Sequence, residues 1–284
     1  MLETISVMHK GRTCFRPESF AKNERPSLPD PDHAGVGNAS LQTPYAKISR
    51  HKGFCFMEQR RLLHPGSLYL VLTEVYGNGR DPLDIARQAI AGGVDILQMR
   101  EKNKTADDLH ALGSSLCRLC RENGVVFIVN DDPPLACRLE ADGVHLGQED
   151  LALCDINAAR SMVGPHKLIG VSTHSPEQVR AALTWDIDYL AFGPIFPTKT
   201  KDYHIGTDKI REVLAISPTT VFLIGGIQRT NVDILLDTGA ANIALIRDMM
   251  EATDVAAQAR WYKQKLKDRR ATLPERFKAN RNGE

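Results

Sequence analysis

Between residues 68 and 267, short apolar runs alternate with amphipathic segments in a regular order. The apolar runs fall at 68–73, 94–99, 125–129, 143–146, 168–171, 189–192, 221–224 and 243–246. Nearly every position in them is apolar, which is the pattern of strands covered on both faces in a parallel sheet. Apolar residues spaced by three or four predict helices at 82–91, 106–122, 134–139, 156–163, 176–183, 209–215, 231–238 and 254–267. The first of these opens on Asp81 as cap and Pro82 as first helical residue. Eight strand–helix units of about 25 residues each favour a closed (β/α)8 TIM barrel over an open doubly wound sheet.

Residues 1–65 follow another pattern. Pro17, Pro26, Pro29, Pro31, Gly35 and Gly37 punctuate a polar stretch with no sustained period, which predicts a disordered N-terminal extension. Its start carries Lys10, Arg12 and Arg16, as organelle transit segments do, but Glu3 and Glu18 interrupt it; an upstream start ahead of Met57 is an equal alternative. The barrel is then expected over 66–268, with 269–284 as a charged tail that frays.

Composition narrows the function classes. The 284-residue chain is 42% hydrophobic and 25% charged with a net charge of +1, so nothing global points to nucleic acid or a membrane surface. No apolar run approaches the ~20 residues of a membrane span. Six irregularly placed cysteines fit reduced thiols in the cytoplasm. Cys117 and Cys120 form a Cys-x-x-Cys pair, but it lies inside the predicted helix 106–122 and has no second pair at zinc-site spacing, so a helix face is expected.

In such a barrel the chemistry sits at the C-terminal ends of the strands. Gln98 lies at the end of the second run and Arg100 and Lys102 follow it; Arg100 and Lys102 are two apart and, on extended backbone, share a side from which to grip one polyanion. Asn130, Asp131 and Asp132 follow the third, and Gln148, Glu149 and Asp150 the fourth. Carboxylates gathered at one place suit Mg2+, which takes one or two of them plus substrate phosphate oxygens. Asp131 and Asp150 are nineteen residues apart, so equivalent positions on adjacent strands are expected; Asp132, before Pro133, is expected to cap a helix. His145, inside a strand, reads as a satisfied core residue. Ser172 and His174 follow the fifth run, with a hydrogen-bonding role for Ser172 and an open one for His174. After the sixth come Thr198, Lys199, Thr200 and Lys201, a hydroxyl-rich cationic loop able to close over phosphates. Gly225 and Gly226 after the seventh, and Arg247 after the eighth, stand where barrels build a phosphate cradle.

Taken together, 98–102, 130–132, 145–150, 170–174, 193–201 and 225–227 resemble the thiamine-phosphate synthase family, in order and at matching spacing over 68–267. That resemblance implies a transferase joining 4-amino-2-methyl-5-hydroxymethylpyrimidine diphosphate to thiazole phosphate, with release of pyrophosphate. It implies that Gln98, Arg100, Lys102, Asn130 and Lys201 hold the diphosphate, with Asp131 and Asp150 binding Mg2+. It places Ser172 at the pyrimidine, Thr198 and Thr200 at the thiazole, and Gly225, Gly226 and Arg247 at its phosphate. The implied partners are these small molecules, and association into a homo-oligomer is left open. The chain departs from the family pattern at Arg247, where a small serine-like residue is usual, and in its long extension. The alternatives are a thiazole tautomerase-like isomerase, which needs no diphosphate grip, and a non-catalytic ligand-binding barrel of the same fold.

Overall fold

The apolar runs become eight parallel strands that close into a barrel. A computed structural model describes residues 7–9, 12–14, 63–151, 155–199 and 202–272, with the side chain of Asp150 outside the described set. The chain divides into two compact units, residues 1–52 and 53–284. In the first, Val7–His9 pairs antiparallel with Arg12–Cys14, a hairpin within a segment expected to be disordered.

The strands of the second unit are β1 (Leu68–Leu72), β2 (Ile96–Met99), β3 (Val126–Asn130), β4 (Gly143–Leu146), β5 (Leu168–Thr173), β6 (Tyr189–Phe192), β7 (Thr220–Ile224) and β8 (Ile243–Leu245). Each pairs with its sequence neighbour, and β8 closes on β1 through Ile243 opposite Leu68. The helices are α1 (Pro82–Ala91), α2 (Ala106–Glu122), α3 (Pro133–Arg138), α4 (Gln148–Leu151), α5 (Ile156–Val163), α6 (Pro176–Ala182), α7 (Ile210–Ile216), α8 (Val232–Asp237), α9 (Arg247–Met250) and α10 (Val255–Thr272). The short helices α4 and α9, which open directly after β4 and β8, have too few residues to show a period. α10 runs past residue 268, so part of the expected tail is helix, and the unit's packing begins before 66, because Leu63 is buried in the barrel interior.

Strand parity divides the core in two. Leu70, Leu97, Phe127, Val144, Ile169, Leu190, Leu223 and Leu245 face outward into the layer under the helices. Tyr69, Val71, Ile96, Val126, Ile128, Leu168, Tyr189, Phe222 and Ala244 fill the inside. The same alternation sends Gln98, Asn130, His145 and Ser172 inward, since side chains two apart on a strand share a face. Cys117 and Cys120 are buried on α2 as free thiols, as a helix face requires.

Acidic and amide side chains seal the opposite end. Asp95, Asp142, Asp188 and Asn242, each just before an even-numbered strand, accept hydrogen bonds from backbone N–H groups of Leu68 (2.7 Å), Phe127 (2.8 Å), Ile169 (2.9 Å) and Ser67 (3.0 Å). Asp142 carries this load while buried, and desolvation raises its pKa although the Phe127 amide pulls the other way. Asp142→Ala would leave that amide unpaired and is expected to cost ~1 to 3 kcal/mol of stability, read by urea denaturation, with kcat unchanged.

Candidate active site

The C-terminal mouth of the barrel gathers most of the predicted residues. Gln98 enters it from β2, 3% exposed, and its Nε2 has no hydrogen-bond partner among the described residues. A buried amide N–H2 left unpaired costs free energy, so it marks a place built to receive an acceptor from elsewhere. Arg100 follows at the strand end, its guanidinium making no hydrogen bond or ion pair among the described residues, and it is close enough to help hold the His145 pKa down. Lys102 is exposed. Glu101, between them, points the other way and is buried. Its Oε1 accepts from the Glu74 backbone N–H at 2.7 Å, tying the β1 loop to the β2 loop, and burial raises its pKa. Sequence reading passed over Glu101, although its place between two cations that share a side signalled the opposite face.

Asp131 ends β3 in the left-handed region, φ 60°, which Asp and Asn tolerate better than most residues. Its Oδ2 accepts from Asn130 Nδ2 at 2.5 Å and its Oδ1 from the Gly147 backbone N–H at 3.3 Å. Outer hydrogen bonds of this kind orient a carboxylate toward a cation. Among the described residues no group of three or more His, Cys, Asp or Glu converges on a point. Mg2+ held by one or two carboxylates and substrate oxygens requires no such group, so Asp131 fits the role. Asp132 caps α3, accepting from Leu135 N–H at 2.9 Å as expected.

Asp150 does not occupy the position equivalent to Asp131. The β3–β4 register pairs Asn130 with His145, which puts Leu146 opposite Asp131 and leaves Asp150 farther on, within α4. The nineteen-residue spacing suggested equivalence because it equals one unit, but the turn after β4 is wound into helix rather than extended. Thr200 and Lys201 lie outside the described residues.

His145 is a buried core residue with both ring nitrogens hydrogen-bonded, as expected. Its Nε2 is 2.9 Å from Ser172 Oγ and its Nδ1 3.2 Å from Tyr189 Oη, inside the barrel. Burial, with Arg100 adding to it, pushes its pKa down to about 4, so it is neutral near pH 7. Its parity with Gly143 on β4 was the available signal, but strands buried on both sides do not reveal which face is inside. Gln148 Nε2 donates to the Ser172 carbonyl at 2.5 Å and ties α4 to β5. His174 Nδ1–H donates to the Gly193 carbonyl and the ring meets Tyr203 edge-on at 5.8 Å, which makes it a brace between loops.

A recess of about 60 Å3 lies between the loops after β6, β7 and β8, lined by Thr198, Gly225, Gly226, Gln228, Ile246 and Arg247 among others. A single water needs ~10 to 15 Å3, so a small anion has room. Gly225 (φ 100°) and Gly226 (φ 64°) turn the chain tightly here. The Arg247 guanidinium is engaged elsewhere. It pairs with Glu251 at 2.8 Å and sits 5.3 Å over the Tyr76 ring, leaving the α9 backbone to face the recess.

A larger likeness is found in known proteins. The family model described as thiamine monophosphate synthase matches residues 68–249. The chain belongs to the thiamine monophosphate synthase family. Relatives in this family include the thiamine-phosphate synthase of Persephonella marina, 40% identical over 63% of this chain and 86% of that protein. The thiamine-phosphate synthase of Shouchella clausii is 38% identical over 69% of this chain and 93% of its own length. Among solved structures, thiamine phosphate pyrophosphorylase from Pyrococcus furiosus is 31% identical with a TM-score of 0.66, covering 74% of this chain and 98% of that one. The 3-hexulose-6-phosphate synthase of Salmonella typhimurium, 18% identical with a TM-score of 0.53, shares the fold. The family match begins at the first residue of β1 and ends within α9, so it spans every strand of the barrel.

Proposed function

We propose that the barrel mouth carries out the family's condensation, with the diphosphate at β2 and β3 and the thiazole phosphate at the recess after β7. The chain is an enzyme of thiamine-phosphate synthesis. It joins 4-amino-2-methyl-5-hydroxymethylpyrimidine diphosphate to thiazole phosphate and releases pyrophosphate. The observation that carries the placement is the Gln98 amide, buried at the mouth with no hydrogen-bond partner for its Nε2 among the described residues, two residues before the Arg100 guanidinium.

As the C–O bond to the diphosphate breaks, its electron pair leaves with the pyrophosphate, and the thiazole nitrogen then attacks the exposed methylene carbon. Charge accumulates on the leaving oxygens, so fixed cations there accelerate the step. Arg100 supplies a planar fork of donors, Lys102 and Lys201 point charges, and Gln98 and Asn130 neutral donors. Asp131 and Asp150 would hold Mg2+, which when bound neutralises charge on the diphosphate oxygens. Ser172 meets the pyrimidine, and Thr198 and Thr200 the thiazole. The backbone N–H groups of Gly225, Gly226 and Arg247 cradle its phosphate, since the first N–H groups of a helix lack internal partners. Among the described residues no helix is long and apolar enough to cross a membrane, and reduced buried thiols suit the cytoplasm.

The test is turnover of purified protein with both substrates, followed by thiamine phosphate and pyrophosphate formation. Absence of both products would leave a ligand-binding barrel as the reading. Gln98→Leu separates the amide's two possible meanings. Removing a buried unpaired polar group is expected to leave the melting temperature unchanged or raised, while kcat/KM for the pyrimidine diphosphate falls by ~10-fold or more. Full activity in Gln98→Leu would remove the amide from the site.

A further inference from the structure

Four polar groups form one hydrogen-bonded file along the inside of the barrel. Tyr69 Oη lies 3.0 Å from Tyr189 Oη, Tyr189 Oη 3.2 Å from His145 Nδ1, and His145 Nε2 2.9 Å from Ser172 Oγ. Tyr69, Tyr189 and His145 are buried, and Ser172, at the mouth, is partly exposed. The rings are fixed by packing. Phe222 meets both tyrosines edge-on, at 5.2 and 5.7 Å, and His145 stacks on Tyr189 with 28° between planes. Gly170 leaves the space that the Tyr189 ring occupies, since a Cβ there would collide with its Cζ and Oη.

Counting protons gives the file a direction. A neutral imidazole has one donor and one acceptor nitrogen, and each hydroxyl donates once. Suppose Ser172 donated to Nε2. Nδ1–H would then donate to Tyr189, Tyr189 would donate to Tyr69, and the Tyr69 proton would be stranded, because among the described residues its hydroxyl bonds to Tyr189 alone. A stranded donor in this apolar interior is costly. In the opposite direction Tyr69 donates to Tyr189, Tyr189 to Nδ1, and Nε2–H to Ser172 Oγ. Every buried proton then has an acceptor, and the one left over belongs to Ser172, at the open end. A doubly protonated His145 strands the Tyr69 proton just as the first arrangement does.

We infer that this file fixes Ser172 as a hydrogen-bond donor toward the substrate, with His145 as the residue that positions it, held in the Nε2–H tautomer by Tyr189 and Tyr69. The recipient is a lone pair, so Ser172 meets a ring nitrogen of the pyrimidine rather than its amino N–H groups. The identity of the recipient rests on the function proposed above; the direction of the file does not.

The direction can be read without substrate. In the full-length protein carrying 15N-histidine, the His145 signal, assigned by its loss in His145→Gln, is expected to show a protonated Nε2 and an unprotonated Nδ1 at neutral pH. An Nδ1–H tautomer or a doubly protonated ring overturns the inference. Kinetics supply the second arm. His145→Leu is expected to lower kcat by about 10-fold or more with KM for thiazole phosphate unchanged, and Tyr189→Phe to lower kcat in the same way from one group farther along. His145→Gln, whose amide donates from a similar place, is expected to recover most of what Leu loses. No recovery by Gln, or losses that merely track melting temperature across the three variants, reduces His145 to a packing residue. If no thiamine phosphate forms at all, the functional reading fails, while the tautomer still stands or falls by its spectrum.

Discussion

Asp131→Asn is expected to lower the rate of pyrophosphate release at least ~10²-fold while leaving the fold intact. The substitution is chosen for its backbone. Asp131 sits at φ 60°, where asparagine is the best-tolerated replacement apart from glycine, whereas alanine would add strain of its own. The asparagine Oδ1 can still accept from Gly147 N–H, and a flip of the Asn130 amide turns its oxygen to the new Nδ2. What is lost is one negative charge beside the site proposed for the cation and the diphosphate. Removing one contact to charge that develops in a transition state typically costs ~3 to 4 kcal/mol. The measurement is pyrophosphate release over a Mg2+ titration with matched thermal melts. A variant that turns over normally, or wild-type turnover indifferent to a chelator, would exclude Asp131 as a cation ligand.

Gly226→Ala is expected to destabilise the protein by ~3 kcal/mol and to raise KM for thiazole phosphate by ~10-fold or more. Two independent causes act together. The residue lies at φ 64°, which costs an L-alanine ~1 to 2 kcal/mol. A Cβ there would also stand 2.5 Å from the Pro197 carbonyl oxygen and 2.7 Å from that of Phe196. Neither oxygen is the end of a flexible side chain, so the loop after β6 has to move away from the recess. Gly239 provides the control, because its φ is 100° and a Cβ there meets nothing within 4 Å. Gly239→Ala should therefore lose ~1 kcal/mol with KM unchanged. Equal effects at the two glycines in denaturant melts and kinetics would refute a cradle at Gly226.

Much of this molecule is legible along the chain. The eight apolar runs became eight strands within a residue or two of their expected limits, because a strand covered on both faces announces itself by continuous hydrophobicity. That Gln98, Arg100, Asn130 and Asp131 stand at the strand ends follows from the limits of the runs, and the Asp132 cap from its place before a proline. These are local signals. The Cys-x-x-Cys pair was likewise settled by its position in a helical pattern.

Other features have no local signature. Asp150 was expected level with Asp131, but four residues of helix after β4 carry too little pattern to be seen, and only the strand register shows the offset. What the Arg247 side chain does is invisible until Tyr76, from the other end of the barrel sequence, is found beneath its guanidinium. The row of Asp95, Asp142, Asp188 and Asn242 looks like four unrelated polar residues until the strands they bind are adjacent.

The sequence by itself determined the number of units, the closed sheet, the family and the strand ends where the chemistry resides. The tertiary structure decided which face of each strand is the inside, and with it the file from Tyr69 to Ser172. The physical reason is that a strand apolar on both faces has no polar alternation to mark its inner side. That side is set only when β8 meets β1 across some 175 residues of chain, Ile243 against Leu68.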